Sequence, residues 1–460
     1  MKKISNLSQV TFEGKVLSAL FKKFNIAKLR YAVLRDFEFL PNRLGSRDLD
    51  ILIHPSDMPL ACRIVANIAL SMDLQFGNYF FDERIVQFTL VGRGLHKSLL
   101  QIKIDFFTRN DVYGIEVLSA EVMLLNLRTH NGVLVVADYI MLLDKLIFHL
   151  LVNQPLRSKY DADFALIARS RGKELKQILT KFLSAEKTKT LIVGLAKGSG
   201  STLSLTRNER LLTLSRLWVG QRILIVPRSL KFLNFRLRDR IRLHGIFISI
   251  SGPDGSGKTT IIDSVITQLN TLYGEGQVHY EHFRPTILPR IAEVAKMANV
   301  VKHIDENYER PHRASAAGLI GSMARLGYYW LDYLYGYLRK VRPEIKKGKL
   351  ILFDRYYYDM IADSLRSRIL LPQLLLRALG RILPLPDYAF FIKVDPNEIY
   401  RRKQELTMKR IVTLNSHYED LVERGWLIEV DNNGAPEKAA TEIVDYIITQ
   451  RHLKSMRNLR

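Results

Sequence analysis

The stretch IFISISGPDGSGKTT, from Ile246 to Thr260, constrains the chain more than any other. Its first six residues form an apolar, β-branched run of the kind that makes a buried parallel strand. The next eight, Gly252-Pro253-Asp254-Gly255-Ser256-Gly257-Lys258-Thr259, fit the pattern GxxxxGK[ST]. Glycines at 252, 255 and 257 let the backbone turn with its N–H groups pointing inward around phosphate oxygens. Beyond the loop, Ile262, Val265, Ile266 and Leu269 share one helical face, so a helix presents its positive N-terminus to the same anion. A strand, a phosphate-gripping loop and a helix in this order open a parallel α/β domain, and here they open it past the middle of the chain.

That opening sets requirements for the rest of the domain. The loop residues Gly252, Pro253, Gly255, Ser256, Gly257, Lys258, Thr259 and Thr260 are the expected cradle for ATP, with Lys258 reaching the β- and γ-phosphates and the Thr259 hydroxyl ligating Mg²⁺. A second strand should supply a carboxylate, and KLILFDRYYYD offers Asp354 at a strand end, followed by Arg355 to stabilise phosphate charge. The strand-like VHYEHF is followed by Arg284, placed to hold an acceptor phosphate. PDYAFFIKVDP reads as another buried strand. The helix predicted to begin near Asn397 carries Arg401, Arg402 and Lys403, with Lys409 and Arg410 beyond, a cluster suited to closing over donor phosphates as a lid.

Taken together, GPDGSGKTT, FRP, FDRY, VDP followed by RRK, and IEVDNNGAPEKAATEIVDYI resemble the thymidylate kinase family over roughly 245 to 450. The resemblance implies a five-stranded parallel sheet, ATP–Mg²⁺ as donor and a nucleoside monophosphate as acceptor. It gives Asp254 the part of the acidic loop residue near the acceptor. Because the loop has no Arg, it implies that the lid supplies the catalytic positive charge, as in the bacterial type. One departure concerns the acceptor. In place of the family's alanine-aspartate-arginine cluster and thymine-reading glutamine stands MARLGYYWLDYLYGYLRKVRP, where Arg325, Tyr328, Asp332 and Arg339 share one helical face and Trp330, Tyr333 and Tyr337 another. Tyr328 and Asp332 are the acceptor-site candidates, and the acceptor class stays open to another monophosphate, a sugar or a lipid-linked group.

Upstream of the loop, the chain has its own chemistry. At 460 residues it is long enough for two or three domains. GSRDLDILIHP puts Asp48 and Asp50 on one face of a strand, and LLQIKIDFF brings Asp105 on a later one. Three carboxylates on adjacent strands are what a two-metal nucleotidyl-transfer site needs. Residues 25 to 150 resemble the minimal nucleotidyltransferase superfamily. That family's Gly-Ser pair is expected after the first strand, where Arg35-Asp36 stand instead, and Gly45-Ser46 lie directly before Asp48.

The expected organisation is therefore an α+β nucleotidyltransferase-like domain over 1–155, a helical bridge over 156–243 and a P-loop parallel sheet with flanking helices over 244–460. The leading expectation is an ATP-dependent kinase acting by in-line transfer. The alternatives are a Mg²⁺-dependent nucleotidyltransferase with a regulatory P-loop domain, and an ATP-gated binding or assembly module. With 69 Lys and Arg against 46 Asp and Glu, the formal charge of +23 favours anionic partners. Those expected are a nucleotide and a small phosphorylated or hydroxyl-bearing acceptor. The basic segment 222–245 reads as a linker helix or as a peripheral contact with an anionic membrane face, and a homodimer is also considered. The single Cys62, the lack of an apolar run after MKK and the charged interruptions in YIMLLDKLIFHLLV point to a cytoplasmic chain without a membrane span.

Overall fold

A computed structural model of the protein describes residues 11–82, 84–94, 98–154, 156–220, 225–241, 245–284, 288 and 318–459. Contacts divide the chain into two units, Met1–Arg238 with Ile448–Arg460, and Asp239–Ile447.

In the first unit, seven strands form a mixed sheet. They are β1 (Tyr31–Val33), β2 (Leu49–Ile53), β3 (Gln75–Phe81), β4 (Ile85–Arg93), β5 (Leu99–Phe107), β8 (Arg128–His130) and β9 (Val133–Val135), in the order β3-β4-β5-β2-β1-β9-β8. A separate hairpin pairs β6 (Arg109–Val112) with β7 (Ile115–Ser119). Alternation along β1, β2 and β5 builds two cores. Tyr31, Val33, Ile51, Ile104 and Phe106 pack with helices Phe12–Ile26 and Met58–Ser71. Ala32 and Leu52 point the other way, into a core shared with helix Asp138–Val152 and the helices up to Leu195. Residues 156–238 are thus part of this unit, since Phe164, Leu175, Leu179 and Leu191 complete its second core. The glycine-rich stretch GLAKGSGST begins inside helix Ala185–Ala196 and ends in a short 3₁₀ turn, Gly200–Thr202.

The second unit holds five parallel strands, β10 (Ile246–Ser251), β11 (Val278–His282), β12 (Leu350–Asp354), β13 (Tyr388–Lys393) and β14 (Ile428–Asp431), in the order β11-β12-β10-β13-β14. β10 and β12 are buried along their whole length, as apolar runs in a sheet covered on both faces must be. The chain leaves β10 for strands on one side, then crosses to strands on the other. The carboxyl end of β10 is therefore a topological switch point, where open α/β sheets form their ligand crevice. The helix after it, Lys258–Tyr273, buries Ile261, Ile262, Val265, Leu269 and Leu272, close to the face its spacing predicts.

Among the described residues no helix is long and apolar enough to cross a membrane. In the basic segment, 221–224 and 242–244 lie outside the described residues, as do the side chains of Arg236 and Arg240.

Candidate functional sites

All five parallel strands deliver residues to one crevice. After β10, Gly252, Gly255 and Gly257 take φ values of 151°, 87° and 79°, the region a side chain rarely adopts. Gly257 is also hemmed in, because a Cβ there would lie 2.9 Å from Asn432 Nδ2. Asn432, at the end of β14, donates from that Nδ2 to the Ser256 carbonyl at 2.8 Å and so ties the loop to the far edge of the sheet. Lys258 is buried and donates to the Pro253 carbonyl at 2.7 Å. Burial, reinforced by the nearby Arg355 charge, pushes its ammonium down to about 7. Thr259 and Thr260, by contrast, are exposed on the first turn of the helix.

After β12, Asp354 and Arg355 take up different positions. One oxygen of Asp354 accepts from His282 Nδ1 at 3.1 Å and from the Tyr280 hydroxyl at 3.3 Å. The other, Oδ1, is buried with no hydrogen-bond partner. An orphaned carboxylate oxygen beside the phosphate loop suits a divalent cation or its water, so the donor set fits Mg²⁺. Burial works against the ionised carboxylate, yet the His282 contact and the charges of Lys258 and Arg355 hold Asp354 below the usual range. Arg355 has φ 75° and is almost wholly buried. Its guanidinium bridges Asp254 at 2.6 Å and Asp359 at 2.9 Å. Asp254 also pairs with Arg366. Burial alone would raise the Asp254 carboxyl, but Arg355 and Arg366 outweigh it and hold the group ionised far below its ordinary value.

Asp359 is the hub beneath this network. It accepts from Arg355 and the Tyr418 hydroxyl on one oxygen, and from the Ser251 hydroxyl and the Tyr356 N–H on the other. Neither Asp359 nor Arg366 nor Asn432 is among the sequence-derived candidates. Asp359 had a readable signal, an acid near the start of the helix that follows a strand end, where it can cap free N–H groups. Arg366 sits in a polar turn with no pattern around it.

The remaining candidates separate. After β11, Arg284 pairs with the fully buried Asp332 at 3.1 Å and lies 4.4 Å over the ring of Tyr329. The ring beside it is thus Tyr329, one residue on from Tyr328, whose own ring contacts Tyr329 edge-on at 6.3 Å. Tyr333 and Trp330 belong to the core and its edge, with Tyr333 bonded to the Phe283 carbonyl and Trp330 to the Leu379 carbonyl. After β13, helix Pro396–Arg402 brings Arg402 near the loop, its NH1 3.7 Å from where a Gly257 Cβ would stand. Arg401 is exposed and folded onto Glu398. Arg410 pairs with Asp363.

In the first unit the three candidate acids converge. Asp50 and Asp105 are register partners on the parallel strands β2 and β5, and Asp48 stands just before β2. Ligand oxygens of Asp48, Asp50 and Asp105 all lie within 4.8 Å of one another. Asp50 pairs with Arg35 at 2.6 Å, and Gln87 donates to Asp105 at 2.8 Å. Burial pushes Asp50 up to about 6 against the pull of Arg35, with Asp48 and Asp105 adding like-charge repulsion. Asp105 is raised as well, by burial first. Crowded, destabilised carboxylates of this kind are relieved by a divalent cation, so this set also fits Mg²⁺. The Ser46 hydroxyl is committed to the Asp48 carbonyl at 2.7 Å.

A glycine loop at the switch point of a five-stranded parallel sheet, with a buried lysine and a strand-end carboxylate, defines the second unit as a P-loop phosphotransferase-type domain. Comparison with known proteins narrows the class. Residues 250–443 match the family model described as thymidylate kinase. The chain is 30% identical over 119 residues to a thymidylate kinase of Oenococcus oeni, a match covering 26% of this chain and 48% of that protein. It is 24% identical over 196 residues to one of Bacillus licheniformis (40% and 81% covered) and 23% identical over 218 residues to one of Leptospira interrogans (46% and 97%). Among solved structures it is similar to the thymidylate kinase of Ehrlichia chaffeensis, with 18% identity, a TM-score of 0.31 and coverage of 44% and 98%.

Proposed function

We propose that the C-terminal domain transfers the γ-phosphoryl group of ATP, in line, to a small acceptor, with a nucleoside monophosphate as the leading class. The observation that carries this reading is the buried Asp254–Arg355–Asp359 network set against a phosphate loop whose lysine is desolvated. An acceptor oxygen attacks the γ-phosphorus as the bond to the β–γ bridging oxygen breaks, and ADP leaves. Lys258 and the loop N–H groups hold the donor phosphates, and Arg355 and Arg402 would balance charge on the transferring group. Asp254 orients Arg355 and Arg366 toward the acceptor side, and Arg284, fixed by Asp332, is the acceptor-phosphate candidate. Mg²⁺ would be held by Thr259 and, through water, by Asp354, and supplies charge neutralisation on the donor phosphates.

The test is incubation with γ-labelled ATP and Mg²⁺ against a panel of nucleoside monophosphates and sugars. Labelled nucleoside diphosphate and ADP are expected, both lost in Lys258→Ala. Label on a sugar alone would overturn the acceptor class, and ADP formation that survives in Lys258→Ala would overturn the site.

A second reading rests on the convergence of Asp48, Asp50 and Asp105. The first unit would then catalyse nucleotidyl transfer with release of pyrophosphate. Its mark is pyrophosphate lost in Asp50→Ala but retained in Lys258→Ala.

A further inference from the structure

Beside the carboxylate cluster of the first unit lies a cavity of about 460 Å³, within the range of small-molecule sites. Its charged lining is more basic than acidic, with Arg35, Arg84, Arg109, Lys145 and Arg157 against Asp111 and Asp144. Arg35 forms the shared wall, since its guanidinium reaches Asp50 of the cluster at 2.6 Å and Asp144 of the cavity at 3.4 Å. On helix Asp138–Val152, Lys145 and His149 are four residues apart and so share a face, and Arg157 joins them from the following turn. Among the described residues, neither Lys145 nor Arg157 has a carboxylate within ion-pair distance. Lys145 lies 5.6 Å over the ring of Tyr160, a further lining residue. Four buried polar atoms of the lining lack hydrogen-bond partners: Arg109 Nε and Asp111 Oδ2, which form an ion pair with each other at 3.4 Å, and His149 Nδ1 and Asn110 Oδ1, which have no such partner. Asn110 spends its amide donor on Asp144, so what its oxygen lacks is a donor from elsewhere.

These groups ask for two things at once. Lys145, Arg157 and His149 need an anion with several acceptor oxygens. Burial first, then the Lys145 and Arg157 charges, push His149 below its ordinary value against an opposing backbone contact at Gln154, which favours a neutral ring that can still donate an N–H. Asn110 Oδ1 needs a hydroxyl. A phosphate monoester of a polyol or sugar supplies both, and a ring such as Tyr160 suits its carbon skeleton. We infer that this cavity is a binding site for a hydroxylated phosphomonoester, with the phosphate held by Lys145, His149 and Arg157 and a hydroxyl held by Asn110. The site owes nothing to the kinase reading, because every group in it belongs to the first unit.

The test uses the full chain carrying Lys258→Ala, to weaken phosphate binding at the P-loop, with EDTA present to remove metal-bridged binding. Glucose 6-phosphate, inorganic phosphate and glucose are titrated by calorimetry. Glucose 6-phosphate is expected to bind about tenfold more tightly than inorganic phosphate, and glucose not at all. Adding Lys145→Gln and Arg157→Gln should weaken glucose 6-phosphate by at least about tenfold, the loss expected when charged hydrogen-bond donors are removed. The charge-keeping pair Lys145→Arg and Arg157→Lys should stay within about threefold, which separates a lost site from a damaged fold. Equal loss in both pairs, equal binding of glucose and its phosphate, or an affinity unmoved by the Gln pair would each overturn the inference.

Discussion

Asp359 gives the sharpest test of how the P-loop site is held. All four of its partners are donors: the Arg355 guanidinium, the Tyr418 and Ser251 hydroxyls and the Tyr356 N–H, at 2.9, 2.7, 2.6 and 3.1 Å. Asp359→Asn replaces one accepting oxygen with an NH₂ group that can only donate. Ser251 and Tyr418 can rotate their hydroxyls to accept, but Arg355 and the Tyr356 amide cannot. The substitution therefore leaves a buried donor facing a donor and removes one of two anions from an arginine that is 3% exposed. Arg355 keeps Asp254, which places the loss at the lower end of the roughly 3–5 kcal/mol seen when one member of a buried pair is removed. About 3 kcal/mol in a unit of this size lowers the midpoint by roughly 6–12 °C. Differential scanning calorimetry of the full chain, comparing Asp359→Asn and Asp359→Ala with the parent, reads this directly. If both variants unfold within about 2 °C of the parent in every transition, the buried network is not what holds this site, and the reasoning from it fails.

Three further outcomes follow from the same geometry. Gly257→Ala forces a side chain into φ 79° and against Asn432, so it should destabilise the domain by about 1–2 kcal/mol in denaturant titration and abolish measurable ATP binding. Asn432→Ala removes the tie to Ser256, worth about 1 kcal/mol, and should raise the KM for ATP about fivefold with little change in kcat. In the first unit, a divalent cation must displace the proton that Asp50 holds up to about 6. Mn²⁺ affinity should therefore climb with pH, by up to about tenfold per unit below that value, and level off above it, as followed by paramagnetic resonance.

Much of the P-loop domain was readable because its signals are local. The loop from Gly252 to Thr259 carries its conformation in its glycines, and the strands β10, β12 and β13 announce themselves as apolar runs. The acids Asp48, Asp50 and Asp105 could be grouped because strand alternation is also local. What escaped was whatever depends on distant parts meeting. Asn432 follows the last strand and acts on the first loop, a contact created only by the order of the sheet. Arg366 pairs with Asp254 across more than a hundred residues. Arg401 and Arg402 look alike in sequence and both pair with Glu398, yet helix geometry also brings Arg402 near Gly257. The helices after 156 carry amphipathic spacing that says an apolar face must be covered, but not by which core, and so their membership of the first unit was hidden.

The pairing of Asp50 with Asp105 has a consequence for how the first unit assembles. The two strands are parallel neighbours, yet β3 and β4 lie between them in the chain. Their carboxylates become a pair only after that hairpin has formed and β5 has docked on β2, a non-local step that comes at a cost in chain entropy. Until then there is nothing for a divalent ion to grip. A metal-dependent signal from these acids would therefore serve as a clock for sheet closure, rising late in refolding even when helical content has already recovered.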